Sequence, residues 1–129
     1  MLVLSKEKCS EGQRRYKKIL NIDIDIDEIL FSKNGLRKHI VKRKHYDFLK
    51  YFEEIDNIIQ NPDYVGTSPR EKDVSIEYVK CCEDNVLVAV KLNRKKSVFY
   101  IASMYIISEY KLESRIKSGR LIKIDENCE

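Results

Sequence analysis

The sequence has 129 residues, of which 43% are hydrophobic and 36% are charged, so the chain can bury the core of one domain. Lys and Arg number 25 against 21 Asp and Glu, and the net charge of +4 permits a nucleic-acid partner without requiring one. Only 4 Gly and 2 Pro exclude a collagen-like or low-complexity chain, and no run of about 18 apolar residues is present to span a membrane.

The cysteines and the first residues together predict a reduced, cytoplasmic protein. Cys9, Cys81, Cys82 and Cys128 show no CxxC spacing, which argues against a disulfide framework or a zinc site. The first six residues lack the basic leader and apolar core of a secretory signal. We therefore expect free thiols in a monomer that does not associate with a membrane. The many Lys, Ile, Asn and Tyr residues, with no Trp, are typical of a protein from an AT-rich bacterial or phage genome.

Residues 1–29 are predicted to form an N-terminal appendage or docking segment. Ser10 followed by Gln13 resembles a helix capping box. The stretch NIDIDID at 21–27 alternates with a period of two, which fits a strand with Ile inside, or an extended linker lying on the core. Several carboxylates on one face are also typical of a metal site, but a solvated face explains them more simply, so no metal site is predicted.

Two helices are predicted between residues 33 and 60. Ser32 is a suitable N-cap for a helix over 33–44, where apolar residues recur at helical spacing. A second helix over 46–60 has a broad apolar face. It should stop before Pro62, because the residue that precedes a proline is kept out of the helical region.

After Pro62 the apolar residues recur with a period of 2 instead of 3.6, which predicts an antiparallel sheet over 74–104. Three segments there are rich in β-branched and aromatic side chains, namely 74–81, 86–92 and 98–104. A short edge strand is expected at 64–65, and a short helix over 109–117 that Gly119 closes. The predicted fold class is therefore α+β, with helices packed on a three- to four-stranded antiparallel sheet.

Seven short stretches occur in an order and spacing typical of a known family. They are GLRKHIVKRKH at 35–45, NPDYV at 61–65, EYVK at 77–80, NVLVAVKL at 85–92, YIASMY at 100–105, SR at 114–115 and SGRL at 118–121. Together they resemble the phage-associated branch of the Barnase–EndoU–colicin E5/D–RelE superfamily of ribonucleases. The resemblance covers about residues 30–122, which we interpret as the nuclease domain, with an acidic tail over 123–129.

The resemblance implies a compact fold of helices and an antiparallel sheet that cleaves RNA without a metal or another cofactor. Members of the superfamily use a concave sheet face that carries a His, a Ser or Thr, a Tyr and basic residues. The implied substrate is RNA, such as tRNA or mRNA, and the implied activity is that of a phage-linked or toxin-like endoribonuclease. A toxin of this kind would have an antitoxin or immunity protein as its partner.

The two histidines of the chain, His39 and His45, both lie in a basic cluster. Metal-free RNA cleavage needs a base for the 2′-hydroxyl proton, an acid for the leaving 5′-oxygen and cations for the phosphorane. Nearby cations favour neutral imidazole, which suits a general base. A six-residue spacing turns the two rings about 120° apart on a helix, so either one faces the site or the helix breaks between them. Arg43, one turn from His39, is a candidate phosphate ligand.

Ser103 and Tyr105 are the candidate hydroxyl groups of a catalytic site. They lie on a predicted strand, where Ile101, Ser103 and Tyr105 share one face. Two hydroxyls on one face can bind a phosphate or orient a ribose. Ser103 can equally bond a strand-end backbone group, with Tyr105 packed in the core.

Candidate cationic ligands lie on the neighbouring elements. Lys91 ends the predicted central strand, and Lys111 and Arg115 stand on the closing helix. Each of these charges alone is also compatible with a solvated surface position. Glu77 and Lys80 lie on opposite faces of the first long strand, so at most one of them belongs to a cleft.

A non-catalytic domain is the alternative to an enzyme. A nucleic-acid- or protein-binding domain, such as a phage accessory protein, needs only a basic face. The enzyme hypothesis requires in addition that a His and a Ser converge in one cleft. The sequence contains no GxSxG motif of a Ser hydrolase and no P-loop or dinucleotide fingerprint, so neither a protease or esterase nor a nucleotide cofactor is expected.

Overall fold

Within the described residues, one mixed β-sheet of seven strands forms the centre of the fold. The computed structural model describes residues 2–3, 16, 18–22, 29–32, 34–36, 38, 51–69, 73–96 and 98–124. Its strands are β1 (Leu2–Val3), β2 (Ile29–Phe31), β3 (Tyr64–Thr67), β4 (Ser75–Cys81), β5 (Asn85–Asn93), β6 (Val98–Ile107) and β7 (Leu121–Lys123). Their order across the sheet is β1-β2-β6-β5-β4-β3-β7, and neighbours pair antiparallel except for β2 and β6, which are parallel.

The helix α1 (Ile55–Gln60) belongs to the predicted helix over 46–60. A 3₁₀ turn at 51–54 leads into it. The helix ends at Gln60 with Asn61 as its C-cap, directly before Pro62, as predicted. Residues 46–50 of that predicted helix lie outside the described residues.

Ser32 caps a helical turn, as predicted. Its carbonyl oxygen accepts a hydrogen bond from Leu36 N at 2.9 Å, and its Oγ accepts one from Gly35 N at 3.2 Å. Residues 34–36 are helical, and most of the rest of the predicted helix over 33–44 lies outside the described residues.

The helix α2 (Glu109–Lys117) has the bounds that the sequence predicts. The Oγ of Ser108 accepts a hydrogen bond from Lys111 N at 3.1 Å and so caps its first turn. Gly119 follows the last turn with a φ of 85°, a left-handed conformation that favours glycine. Within the part of the chain that the structure describes, no helix is long and apolar enough to cross a membrane.

Hydrophobic side chains cover the sheet on both faces. Successive residues of β5 point to opposite faces, with Val86, Val88 and Val90 in one cluster and Leu87 and Ala89 in the other. α1 packs in the first cluster through its three isoleucines, and α2 packs in the second through a buried leucine. Burial on both faces explains why β5 is nearly all apolar, as expected for the central strand.

The α+β class and the antiparallel meander β4-β5-β6 confirm the prediction, but the sheet is larger than the predicted three to four strands. Two short strands, β1 and β2, add to one side, and β2 brings a parallel pairing. On the other side β7 pairs with β3, so the segment expected to be an edge strand is an inner one. The added strands have two or three residues each, which is too short for a period of two to be visible.

A β-bulge in β6 changes the predicted faces of that strand. Ser103 pairs with Ala89 and Ile101 pairs with Val90, so the intervening residue of β6 has no opposite partner. Ser103 and Tyr105 still share one face, but Ile101 packs in the cluster on the other face. The prediction that Ile101 lies on the face of Ser103 is therefore wrong, because the extra residue shifts the alternation by one.

One aromatic residue of the N-terminal segment lies in the core. Tyr16 is buried, its ring meets that of Tyr78 edge-on with centroids 6.0 Å apart, and its hydroxyl donates to the Gln60 carbonyl at 2.9 Å. Residues 23–27 of the alternating stretch lie outside the described residues. The division of the chain into 1–29, 30–122 and 123–129 stays a prediction.

Candidate functional site

An open cleft of about 790 Å³ lies beside α2, the loop after β3 and the turn before β7. Its lining combines three cations (Lys111, Arg115, Arg120), five hydroxyl groups (Thr67, Tyr105, Tyr110, Ser114, Ser118), Pro69 and Gly119. None of the described residues that line it is acidic. The cleft is therefore positively charged, and it suits an anionic ligand.

Glu77 lies beneath the cleft and is buried despite its charge, with 2% of its surface exposed. It belongs to β4 and lies between Gly66 of β3 and Ala89 of β5, in a row across the sheet that Ser103 of β6 extends. The carbonyl oxygen of Arg120 occupies the place that a side chain at Gly66 would need. Arg115 of α2 and Arg120 of the turn before β7 both extend to the Glu77 carboxylate.

Arg120 neutralises Glu77 through two parallel hydrogen bonds. Its Nε donates to Oε1 of Glu77 at 2.7 Å, and its Nη2 donates to Oε2 at 2.8 Å. This bidentate geometry requires the planar fork of Arg. The hydrogen bonds to Glu77 raise the pKa of the Arg120 guanidinium above its ordinary value. Arg120 is thus held charged and in one orientation in the wall of the cleft.

Arg115 brings a second guanidinium group to the same carboxylate. Its Nη1 lies 4.0 Å from Oε2 of Glu77 and is buried. Among the described residues this nitrogen has no hydrogen-bond partner, although buried donors in folded proteins nearly always have one. One carboxylate faces two guanidinium groups, so the cluster keeps a net positive charge, and a donor is left for an anion.

The helix α2 presents a polar stripe to the cleft and an apolar stripe to the sheet. The polar stripe recurs at helical spacing and consists of Tyr110, Lys111, Ser114, Arg115 and Ser118. Leu112 is buried in the cluster on the sheet. Tyr105 of β6 completes the lining. The cleft thus joins one helix face to one sheet face.

Three of the eight predicted site residues line the cleft, namely Tyr105, Lys111 and Arg115. Ser103 lies on the same sheet face as Tyr105, in the row of Glu77, but outside the lining. Lys91 is near the far end of β5 and is also outside it. The structure brings together the cations of α2 and the strand hydroxyl, and their roles stay predictions.

The other three predicted site residues are His39, Arg43 and His45, and all three lie outside the described residues. The convergence of a histidine with Ser103 in one cleft therefore stays a prediction as well. Glu77 and Lys80 have different surroundings, as expected for opposite faces. Glu77 is buried beneath the cleft, whereas Lys80 Nζ donates to the Asn61 carbonyl at 2.7 Å, away from it.

Arg120 is a site residue that the sequence does not predict, although one signal indicates that Glu77 needs a cation. Glu77 lies in a predicted strand, and an acidic residue that is buried there needs a cationic partner. Arg120 stands directly after the helix-closing Gly119 and before a short apolar stretch. The pairing of Glu77 with Arg120 spans 43 residues, and no local pattern selects this Arg from the other cations.

We expect Gly66→Ala to destabilise the protein by about 1–3 kcal/mol, because a Cβ at this position would overlap the carbonyl oxygen of Arg120. The obstacle is backbone, and Gly66 also pairs with Leu121, so β7 would have to move away. Urea unfolding measures the change. Thr67→Ala, at the exposed neighbour in the same strand, is the control and should change the free energy by less than about 0.5 kcal/mol. Equal midpoints for the two variants would contradict the close approach of Arg120 to β3.

The chain matches the model of a known protein family. The model of a family described as phage-Barnase-EndoU-ColicinE5/D-RelE like nuclease3 matches residues 7–114. The match confirms the resemblance found in the sequence and begins earlier than residue 30. It includes Glu77, Tyr105 and Lys111, and it ends one residue before Arg115. No curated protein and no solved structure matches the chain.

Proposed function

We propose that this chain, which belongs to the family of phage Barnase-EndoU-ColicinE5/D-RelE like nucleases, is a metal-independent endoribonuclease that binds the scissile phosphate in the cleft beside α2. One observation carries the proposal. Arg115 and Arg120 share a single carboxylate, and Arg115 Nη1 is a buried donor without a hydrogen-bond partner among the described residues. A phosphate is the anion that a nuclease must bind, and two guanidinium groups match its geometry.

The reaction divides into charge stabilisation and proton transfer. The 2′-oxygen of a ribose attacks the adjacent phosphorus, its proton passes to a general base, and the bond to the 5′-oxygen breaks as a general acid protonates that oxygen. The products are a 2′,3′-cyclic phosphate and a 5′-hydroxyl. Fixed cations around the phosphate stabilise the extra charge of the phosphorane without a metal ion.

The cleft residues suit the charge-stabilising part of this reaction. Arg115 and Arg120 would hold the phosphate oxygens, and Lys111 of the same stripe would add a third positive charge. Tyr105, which lines the same cleft as Arg120, would position the phosphate through its hydroxyl. Glu77 is a positioning residue, because both of its oxygens accept hydrogen bonds from Arg120.

Proton transfer is assigned to His39 or His45. Ser103 would orient the ribose, and Arg43 and Lys91 would bind phosphates of the RNA next to the scissile one. The support for the histidines is chemical, since imidazole titrates near neutral pH. Their position within a basic stretch of the sequence favours the neutral form that accepts a proton.

We expect the purified chain to cleave a mixed pool of tRNA and mRNA in the presence of EDTA and to leave 2′,3′-cyclic phosphate ends. His39→Ala or His45→Ala should slow cleavage by about 10²–10⁴-fold, according to which histidine transfers the proton. Ser103→Ala should have a smaller effect.

The same experiment separates the enzyme from a binding domain. If the wild type binds the RNA pool but leaves it intact, the chain is a non-catalytic nucleic-acid-binding domain, whose affinity falls steeply with salt. If EDTA abolishes cleavage, the metal-independent mechanism is wrong. If both histidine variants cleave at the wild-type rate, the proton-transfer groups lie elsewhere.

A further inference from the structure

Tyr110 is the most exposed large hydrophobic side chain among the described residues, with 81% of its surface accessible. The next are Ile122 at 39% and Tyr100 at 37%. A single exposed aromatic residue is ordinary on a protein surface. Tyr110, however, lines the cleft, and it does so at the end of the stripe that carries the cations.

The position of Tyr110 on α2 relates its ring to the phosphate-binding groups. Tyr110 and Ser114 are one turn apart on the stripe, and Arg115 is five residues from Tyr110, or about 7.5 Å along the helix axis. Five residues also turn the helix so that the two side chains are about 140° apart. Tyr110 and Arg115 therefore stand at the two borders of the stripe, with Lys111 and Ser114 between them. Pro69, from the loop after β3, also lines the cleft, so Tyr110 is not the sole source of apolar surface among the described residues of the lining.

We propose that Tyr110 is a stacking platform for an unpaired base of single-stranded RNA, whose adjacent phosphate lies at Arg115 and Arg120. This inference rests on the proposed function, because it places the phosphate in the same cleft. An aromatic ring accepts the π-face of any base, and Arg and Lys beside it bind the backbone. The arrangement of Tyr110, Lys111 and Arg115 on one face of α2 combines these two elements.

The proposal names the substrate class as unpaired RNA. In an A-form duplex each base is stacked and paired, and the major groove is too deep and narrow for side chains to read. A base can lie against Tyr110 only after it leaves the stack. Single strands and loops should therefore bind in the cleft through both base and phosphate, and duplex RNA through phosphate alone.

The test uses one RNA oligonucleotide in two forms, single-stranded and annealed to its complement. Binding is measured by fluorescence anisotropy with 2′-O-methyl RNA, which lacks the attacking hydroxyl, and cleavage is measured with unmodified RNA. Tyr110→Ala should weaken single-strand binding on the order of tenfold, whereas Tyr110→Phe keeps the ring and the affinity. Tyr100→Ala, at an exposed Tyr outside the cleft lining, is the matched control and should bind as the wild type does.

The outcomes separate this inference from the proposed function. If the wild type binds the single strand in a manner that depends on Tyr110 but cleaves no RNA, the stacking site stands and the nuclease proposal fails. If the wild type cleaves RNA and Tyr110→Ala binds and cleaves with unchanged Kd and KM, the stacking site is wrong and the nuclease proposal stands. Equal binding of duplex and single strand overturns the substrate class, and a wild type that binds neither form overturns both proposals.

Discussion

Arg115→Ala should slow RNA cleavage by about 10²–10³-fold, the cost of removing one preorganised donor that stabilises a transition-state charge. Arg115 has a buried Nη1 without a hydrogen-bond partner among the described residues, and it lies in the cleft wall. Arg120 already donates two hydrogen bonds to Glu77. Arg115 therefore has more N–H groups left than Arg120 has to donate to a phosphate. Arg115→Lys keeps the charge without the fork, and it should recover only part of the rate.

A matched control for Arg115 is Arg94, a cation outside the cleft lining. Its side chain is 65% exposed and pairs with Asp73 at the surface, so Arg94→Ala should cleave RNA as the wild type does. Single-turnover rates at saturating RNA measure the effect, and circular dichroism verifies that each variant is folded. If a folded Arg115→Ala variant cleaves at the wild-type rate, the cleft beside α2 is not where the phosphate reacts.

Glu77→Ala should lower the free energy of unfolding by about 3–5 kcal/mol, because it leaves guanidinium charges without their buried partner. The lower end of this range is expected, since the side chain of Arg120 keeps 19% exposure and part of its hydration. The loss arises from the unpaired cation. The double variant Glu77→Ala, Arg120→Ala should therefore be more stable than Glu77→Ala alone.

Arg94→Ala again supplies the comparison, because it breaks an ion pair at the surface. Exposed ion pairs contribute less than about 1 kcal/mol, so its urea midpoint should stay close to that of the wild type. If Glu77→Ala unfolds at the same urea concentration as Arg94→Ala, Glu77 does not anchor the cluster. If the double variant is less stable than Glu77→Ala, Arg120 contributes through packing and not through its charge.

The elements with regular patterns could be predicted from the sequence. α2 has the predicted bounds, and Gly119 adopts the expected positive φ. The meander of β4, β5 and β6 follows from alternation and short polar turns, because antiparallel neighbours need only a hairpin to meet. These features depend on residues a few positions apart, which is the range over which periodicity can be recognised.

The candidate site could be predicted only in part. Tyr105, Lys111 and Arg115 are predicted as site residues from the chemistry of their side chains, and the structure places all three in one cleft. Glu77 and Lys80 are predicted to lie on opposite faces of one strand, with at most one of them in a cleft. Arg120 is not predicted, because its partner is 43 residues away. The prediction for the face of Ile101 is wrong, because the bulge depends on how β6 pairs with β5 and cannot be recognised in the sequence of β6 alone.

The sequence by itself determined the α+β class, the meander, the closing helix and the resemblance to phage nucleases, since each is encoded in local period, turn residues or the order of short stretches. Only the tertiary structure decided the seven-stranded size of the sheet, the parallel pairing of β2 with β6 and the cluster of Arg115 and Arg120 on Glu77. These depend on which distant segments meet. That choice is made by the burial of apolar faces and by the need of a buried carboxylate for a cation, and both are properties of the folded chain as a whole.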